Sequence, residues 1–329
     1  MLSGCSAGPT EIVLSGPTMG TTYTVHIVAP PQGLTAHDVR VLVDEELLAV
    51  DESMSGYRED SEVSRFNATA SRDWFDVSPA LAHVVDAALE VAERSSGAFD
   101  ITVARLVQAW GFGPQTSEGM SLPTEAQIES LREKSNGDSL QARTDPPALR
   151  KREPEMKIDL NGIAPGYAVD KIAARLDALA LRNYMIDIGG EIRVRGRNKA
   201  GEPWRIAVER PDASGQPFMI LRLQDRAIAT SGEYRHFRER EGRRYSHTID
   251  PRTGSPIARA AASVVVIHKE AMYADAWATA FNVLGPVDGY ALAVRLDMPV
   301  MYIVEGEGGG FEAKRTPAFE RLLEGGQSR

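Results

Sequence analysis

Two periodicities organise the apolar positions of this chain. A helical period runs from Leu34 to Ser53, where Thr35 can cap and Asp38, three residues on, completes an approximate capping box. Ser78-Pro79 predicts a second helix start with proline in the first turn, and Gly97 supplies its stop after an alanine-rich stretch. Pro123-Thr124 opens a third, short helix. Gly166 to Ala180 predicts a fourth, with Val169, Ile172, Ala173 and Leu176 on one face, and Met272 to Leu284 a fifth. Segments dense in Val and Ile, or alternating with charge, predict strands: Tyr23 to Val28, Tyr184 to Ile188, Glu191 to Arg195, Trp204 to Glu209, Met219 to Leu223, Ser263 to Ile267 and Val300 to Val304.

These strands cluster in the second half, and several follow one another without room for a crossover helix. Gly189-Gly190 reads as a hairpin or bulge, and Asp250-Pro251-Arg252-Thr253-Gly254 as a strong turn. The pattern predicts an α+β domain with a largely antiparallel sheet and flanking helices. Residues 136–156 are polar and proline-bearing and read as a surface loop, with nothing that separates two domains. Asn67-Ala68-Thr69 matches a glycosylation sequon. Gly306-Glu307-Gly308-Gly309-Gly310 lacks the Lys-Ser/Thr ending of a phosphate loop and reads better as a hairpin turn.

With 329 residues, 43% of them hydrophobic, there is ample material for one large core or two ordinary ones. A net charge of −9 excludes a broad nucleic-acid backbone binder but not a local anion site. The longest apolar run, Ala260 to Ile267, is strand-sized, far short of a membrane span. The single cysteine, Cys5, has no partner for an intrachain disulfide or a thiolate metal cage. Leu2-Ser3-Gly4-Cys5 looks like the end of a bacterial lipoprotein signal, with Cys5 as the residue to be lipidated; an ordinary cysteine near a frayed end is the alternative.

The chain has no HExxH, no GxSxG and no paired His/Cys metal spacing. Its candidate chemistry is oxygen-based. Asp275 and Thr279 stand four apart on the fifth helix and so share a face, both hard donors of the type Mg²⁺ prefers. The ordinary alternative has Asp275 capping the helix and Thr279 bonding back to a carbonyl. His247, in an extended run ending at the Asp250-Pro251 turn, is a candidate base or a hydrogen-bonded strand residue. Asp159-Leu160-Asn161-Gly162 offers a carboxylate and a main-chain carbonyl that a ligand can approach closely at glycine. Met19 and Tyr57 lie beside glycines and suit either a planar heterocycle or the core.

Taken together, these stretches resemble the ApbE family, the bacterial FAD:protein FMN transferases. The likeness rests on Ser15 through Tyr23, Met54 through Asn67, Phe99 through Val103 with Trp110 through Gly113, and Asp159 through Asp170. It continues through Asn183–Ile192, Ala229–Gly232, Tyr245–Gly254 and Ala274–Thr279, every block in family order between about residues 12 and 305.

The resemblance implies a single catalytic domain over 10–325, preceded by a lipoprotein-type linker over 1–9. It implies binding of FAD and Mg²⁺, and movement of FMN onto a Thr or Ser hydroxyl of a partner protein, with AMP leaving. Carried over by position, Met19, Tyr57, Ala98, Phe99, Asp100, Asp159, Pro165 and Ile249 would line the FAD site. Asp275, Thr279 and main-chain oxygen at Gly162, with another near Ala278, would hold the metal, and His247 would be the base. Pro165 departs from the pattern, because many relatives carry Lys, Gln or Glu there and proline offers no side-chain donor. An exported lipoprotein on the periplasmic side of the membrane, acting on membrane redox complexes, is the implied setting. An FAD pyrophosphatase and a non-catalytic flavin-binding lipoprotein stand as alternatives.

Overall fold

The computed structural model describes residues 9–114, 121–135, 137–212, 214–232, 237–240, 243–257 and 261–327. It opens with a hairpin of β1 (Glu11–Thr18) and β2 (Thr21–Val28). Met19 and Gly20, both at positive φ (46° and 73°), make its two-residue turn, a twist that matches the strands. Helix α1 (Ala36–Met54) follows with the expected Thr35/Asp38 capping box. Then come α2 (Glu62–Ala68), β3 (Phe75–Asp76), α3 (Pro79–Arg94), α4 (Ala104–Ala109) and α5 (Glu125–Glu133). Next are β4 (Leu140–Thr144), β5 (Pro147–Lys151), α6 (Ala164–Ala178), β6 (Tyr184–Ile188) and β7 (Glu191–Arg195). They lead to β8 (Trp204–Glu209), β9 (Pro217–Leu223), β10 (Arg226–Gly232), β11 (Phe237–Arg240), β12 (Arg243–Ser246), β13 (Ile249–Asp250) and β14 (Ser255–Pro256). The chain closes with β15 (Ser263–His268), α7 (Ala271–Arg295), β16 (Val300–Glu305), β17 (Phe311–Arg315) and α8 (Pro317–Gln327).

Eight of these strands form one sheet in the order β1-β2-β6-β7-β10-β15-β16-β17, every neighbouring pair antiparallel. The alternation along each strand divides the core. Tyr23, Val25, Ile186, Ile188, Ala229, Val264, Val266 and Tyr302 face α1, α3, α6 and α7. Val265, Ile267, Met301 and Ile303 face the β8–β9 hairpin and Phe319 of α8. The centre of the sheet is therefore covered on both sides, which is why β15 reads as an unbroken apolar run instead of an alternating one.

One expectation needs correction. Residues 137–151 are not a surface loop, since β4 and β5 pair there and join β3 in a three-stranded sheet that buries Leu140, Ala148 and Leu149. Asn67 of the sequon lies near the end of α2, with its amide hydrogen-bonded to the main chain of Ile158. Cys5 lies outside the described residues.

Candidate active site

The site grows from the crossing of α6 and α7. Gly166, in the first turn of α6, lies so close to α7 that a Cβ there would run into the Ala271 carbonyl oxygen. That Cβ would also stand 2.7 Å from the Ala271 carbonyl carbon and 2.8 Å from Met272 Cα. This contact lets the Gly166 N–H donate to Asp275 Oδ2 at 3.1 Å. In return the Asp170 carboxylate accepts from the N–H groups of Ala271 (3.0 Å) and Met272 (2.9 Å), at the start of α7. Asp170 also pairs with Arg193 on β7. Neither helix has a side-chain cap from its own N-cap residue; each start is satisfied by a carboxylate of the other helix.

Thr279, one turn after Asp275, meets the turn that precedes α6. A Cβ on Gly162 would stand 3.2 Å from Thr279 Oγ1 and 3.3 Å from the Phe99 ring. Gly162, Thr279 and Phe99 thus share one small space, with Asp275 one helical turn away on the same face. Asn282, a further turn on, is buried and donates to Ser231 Oγ at 3.1 Å, tying this face of α7 to the end of β10. Ala278 is buried beside Thr279. Pro165 occupies the first turn of α6, where its missing N–H costs nothing.

Asp159 begins the turn that leads to Gly162. Its Oδ1 accepts from Asn161 N (2.9 Å) and its own N–H donates to Ile101 O (2.7 Å). Burial pushes its carboxyl above the usual range. Tyr57 is 63% exposed, yet loss of water around its hydroxyl and the nearby Asp159 charge raise the phenol. Ala98 and Phe99 are buried, the latter donating its N–H to Ser95 Oγ at 3.1 Å. Asp100 accepts from the N–H groups of Thr102 (2.8 Å) and Gly137 (3.1 Å), and burial again raises its carboxyl.

The remaining expected residues come to the same end of the sheet by topology. The β1–β2 turn carries Met19, and a Cβ on Gly189 in the β6–β7 turn would lie 3.0 Å from Thr21 Cγ2. The excursion that holds His247 leaves the sheet after Gly232 and returns at Ser263, two residues paired in register at that end. His247 is half-buried in the bend between β12 and β13, and Ile249 is buried in β13. Trp110 secures this excursion, donating to Gly254 O (2.8 Å) and packing on Tyr245 with ring centres 5.6 Å apart.

One carboxylate was not picked out from the residues alone. Glu191, after Gly189-Gly190, is raised well above its usual range by burial first, then by the charges of Asp275 and Asp187. Burial raises Asp275 as well, while the Gly166 N–H holds it down. The only local signal was the pair of acids flanking two glycines. Among the described residues, no group of three or more His, Cys, Asp or Glu side chains is arranged to hold a metal. A cation here would need mixed oxygen donors: a carboxylate, a hydroxyl and main chain. The set fits one. Burial and mutual charge make ionisation of Asp275 and Glu191 costly, a cost that a cation would offset, and at Gly162 a side chain would take up the space beside Thr279.

The fold and this cluster define an α+β domain with oxygen donors gathered at one end of an antiparallel sheet. The ApbE family model matches residues 19–303. A protein of Vibrio cholerae named FAD:protein FMN transferase is 40% identical over 324 residues, covering 98% of this chain and 96% of that protein. One of the same name from Salmonella typhimurium is 36% identical over 333 residues, covering 98% and 94%. Among solved structures, flavin transferase ApbE from Vibrio cholerae superposes with a TM-score of 0.88 at 39% identity, covering 96% of this chain and 100% of that one. The apo form of Pseudomonas stutzeri flavinyl transferase ApbE gives 0.88 at 38% identity, covering 97% and 98%. The chain belongs to the ApbE family.

Proposed function

We infer that this protein is a transferase that moves FMN from FAD to a target protein, and that it does so with Mg²⁺ at the α6–α7 crossing. Family membership supports the transfer itself. The observation that carries the site is the meeting of Gly162 and Thr279, where a Cβ added to Gly162 would stand 3.2 Å from Thr279 Oγ1, one turn from buried Asp275.

In this reading Asp275, Thr279 and main-chain oxygen at Gly162, with another near Ala278, hold the metal. When bound, Mg²⁺ supplies positive charge for the FAD diphosphate and for the phosphate that departs with AMP. Tyr57, Met19, Phe99 and Ile249 give FAD apolar and aromatic surface; Ala98, Asp100 and Asp159 complete its contacts, and Pro165 offers main chain only. A Thr or Ser hydroxyl of the acceptor attacks the FMN-side phosphorus, and the bond from that phosphorus to the AMP oxygen breaks. His247 takes the hydroxyl proton as the new P–O bond forms. The acceptors are subunits of membrane redox complexes.

The setting we propose is the periplasmic side of the membrane, with Cys5 lipidated. No helix among the described residues is long and apolar enough to cross a membrane. One acyl chain binds reversibly.

The test combines the protein with FAD, Mg²⁺ and a panel of candidate acceptors. A fluorescent adduct that survives denaturing electrophoresis, with one AMP released per FMN attached, is the expected result. Release of free FMN at the same rate with or without acceptor would instead make water the acceptor, and binding without any turnover would refute catalysis.

A further inference from the structure

Helix α2 has only seven residues, yet polar contacts at its two ends reach two parts of the site. At its start, the Ser61 hydroxyl donates to Ser55 O at 2.7 Å and Ser64 Oγ to the same oxygen at 3.4 Å. Ser55 lies two residues before Tyr57 and accepts the Tyr57 N–H on its own hydroxyl at 3.3 Å. At the end of α2, one side chain reads a whole peptide unit. Asn67 Nδ2 donates to Ile158 O at 2.9 Å, and Asn67 Oδ1 accepts from Ile158 N at 2.8 Å. Both main-chain groups of Ile158, 91 residues away, are thereby satisfied as a neighbouring β-strand would satisfy them.

The segment so held runs directly into the site. Lys157 is bridged to Val103 in parallel, and Asp159 donates its N–H to Ile101 O at 2.7 Å, so residues 157–159 lie between Asn67 on one side and residues 101–103 on the other. Lys151 adds a second tie. Its buried Nζ donates to Phe66 O (3.1 Å) and Asn67 O (3.5 Å) of α2 and to Met156 O (3.1 Å). The chain is thus pinned to α2 at Met156 and Ile158, three and one residues before Asp159. Four residues after Ile158, Gly162 meets Thr279.

We propose that Asn67 is a positioning residue for the FAD and metal pocket, holding the Ile158 peptide so that Asp159 faces Tyr57 and the Asp159–Gly162 turn meets Thr279. This rests on the reading of the site given above. A helix end cannot offer a strand's ladder of donors and acceptors, so the side-chain amide stands in for one. An amide is needed because the Ile158 peptide presents a donor and an acceptor together. Asn67→Asp keeps the acceptor for Ile158 N but sets a carboxylate oxygen against the Ile158 carbonyl. Asn67→Ala removes both bonds.

The experiment measures FAD affinity of the whole chain by flavin fluorescence, with and without Mg²⁺, alongside transfer kinetics and the thermal midpoint. For both variants, FAD dissociation constants and half-saturating Mg²⁺ should rise by ~10-fold, the scale expected when a group supporting a ligand is lost. Turnover at saturation should stay within about twofold, because the reacting groups remain in place. FAD and Mg²⁺ affinities equal to wild type in either variant would overturn the proposal. So would losses that vanish on cooling to a temperature where the variant is fully folded, since those would report stability alone. If wild-type FAD affinity ignores Mg²⁺, the metal assignment fails, and the metal-free FAD affinities then decide for or against Asn67.

Discussion

Lys151 offers a sharp physical test, because a lysine with no exposed surface should leave a signature in the pH dependence of stability. Burial, with the charges of Arg105 and Lys157, lowers its pKa from 10.5 to about 8. The unfolded chain then holds this proton more tightly than the folded one. Between pH 8 and about 10.5 the unfolded state binds more protons, so stability rises with pH across that window. Below pH 8 both states carry the proton and the full cost of burying the ammonium is present. A drop of about 2.5, at about 1.4 kcal/mol per pH unit, amounts to about 3 kcal/mol. Lys151→Met removes the titration while keeping the length of the side chain. It also leaves the Phe66 and Met156 carbonyls without their donor, at about 1–3 kcal/mol each. The absolute difference at pH 7 is therefore a balance of two costs, but its change with pH is not. Urea unfolding of both proteins at pH 7, 8.5 and 10 should show the difference moving toward wild type by about 2–3 kcal/mol. Parallel stability curves over that range would refute a buried, charged lysine at this position.

Further outcomes test the site directly. Asp275→Asn keeps an acceptor for the Gly166 N–H but loses the charge; Mg²⁺-dependent transfer should fall by on the order of 10²-fold with FAD binding changed only a few-fold, and full activity would remove Asp275 from the metal site. Gly166→Ala forces a methyl against the Ala271 and Met272 main chain, so the unfolding free energy should drop by about 1–3 kcal/mol and activity should fall with it. An unaltered melting curve would mean that α6 and α7 can separate freely. His247→Ala should slow transfer by ~10²-fold or more while sparing FAD affinity; a rate equal to wild type would reassign His247 to holding the fold.

Much of this architecture was legible where the signals were local. Thr35 with Asp38, Ser78 before Pro79, and Thr124 opening α5 all marked true helix starts, because a cap is satisfied within three residues. Gly189 and Gly190 marked the β6–β7 hairpin for a similar reason: both adopt positive φ, at 67° and 115°. Strand β1 was hidden by Gly16 and Pro17, which an edge strand tolerates, and β10 by its Ala-Thr-Ser-Gly ending, which has weak strand character alone. It is a strand because β7 and β15 pair with it on either side. The β4–β5 hairpin looked like a loop because its charges were counted as solvated. Arg143 and Arg150 instead lay their guanidinium groups on Trp74, at 4.6 and 4.7 Å, and Lys151 is turned inward.

The candidate site shows a similar division. The i, i+4 spacing put Asp275 and Thr279 on one helix face, with their role coming from the family resemblance, but the need for glycine at 166 is a property of two helices and could not be read from one. The mutual capping of α6 and α7 explains why. Asp170 satisfies the start of α7, and Asp275 satisfies the start of α6 through one of its two oxygens. Each helix is thus located by a charge on the other, and the position of Asp275 is fixed by main-chain contacts that involve no ligand. Asp275 lies on the same face as Thr279, opposite a turn whose approach is permitted by Gly162. Neither carboxylate can swing away without leaving a helix start short of its partner. Burial raises both Asp275 and Glu191, and the charge of Asp275 raises Glu191 further, so ionising this pair costs free energy that the rest of the fold must offset.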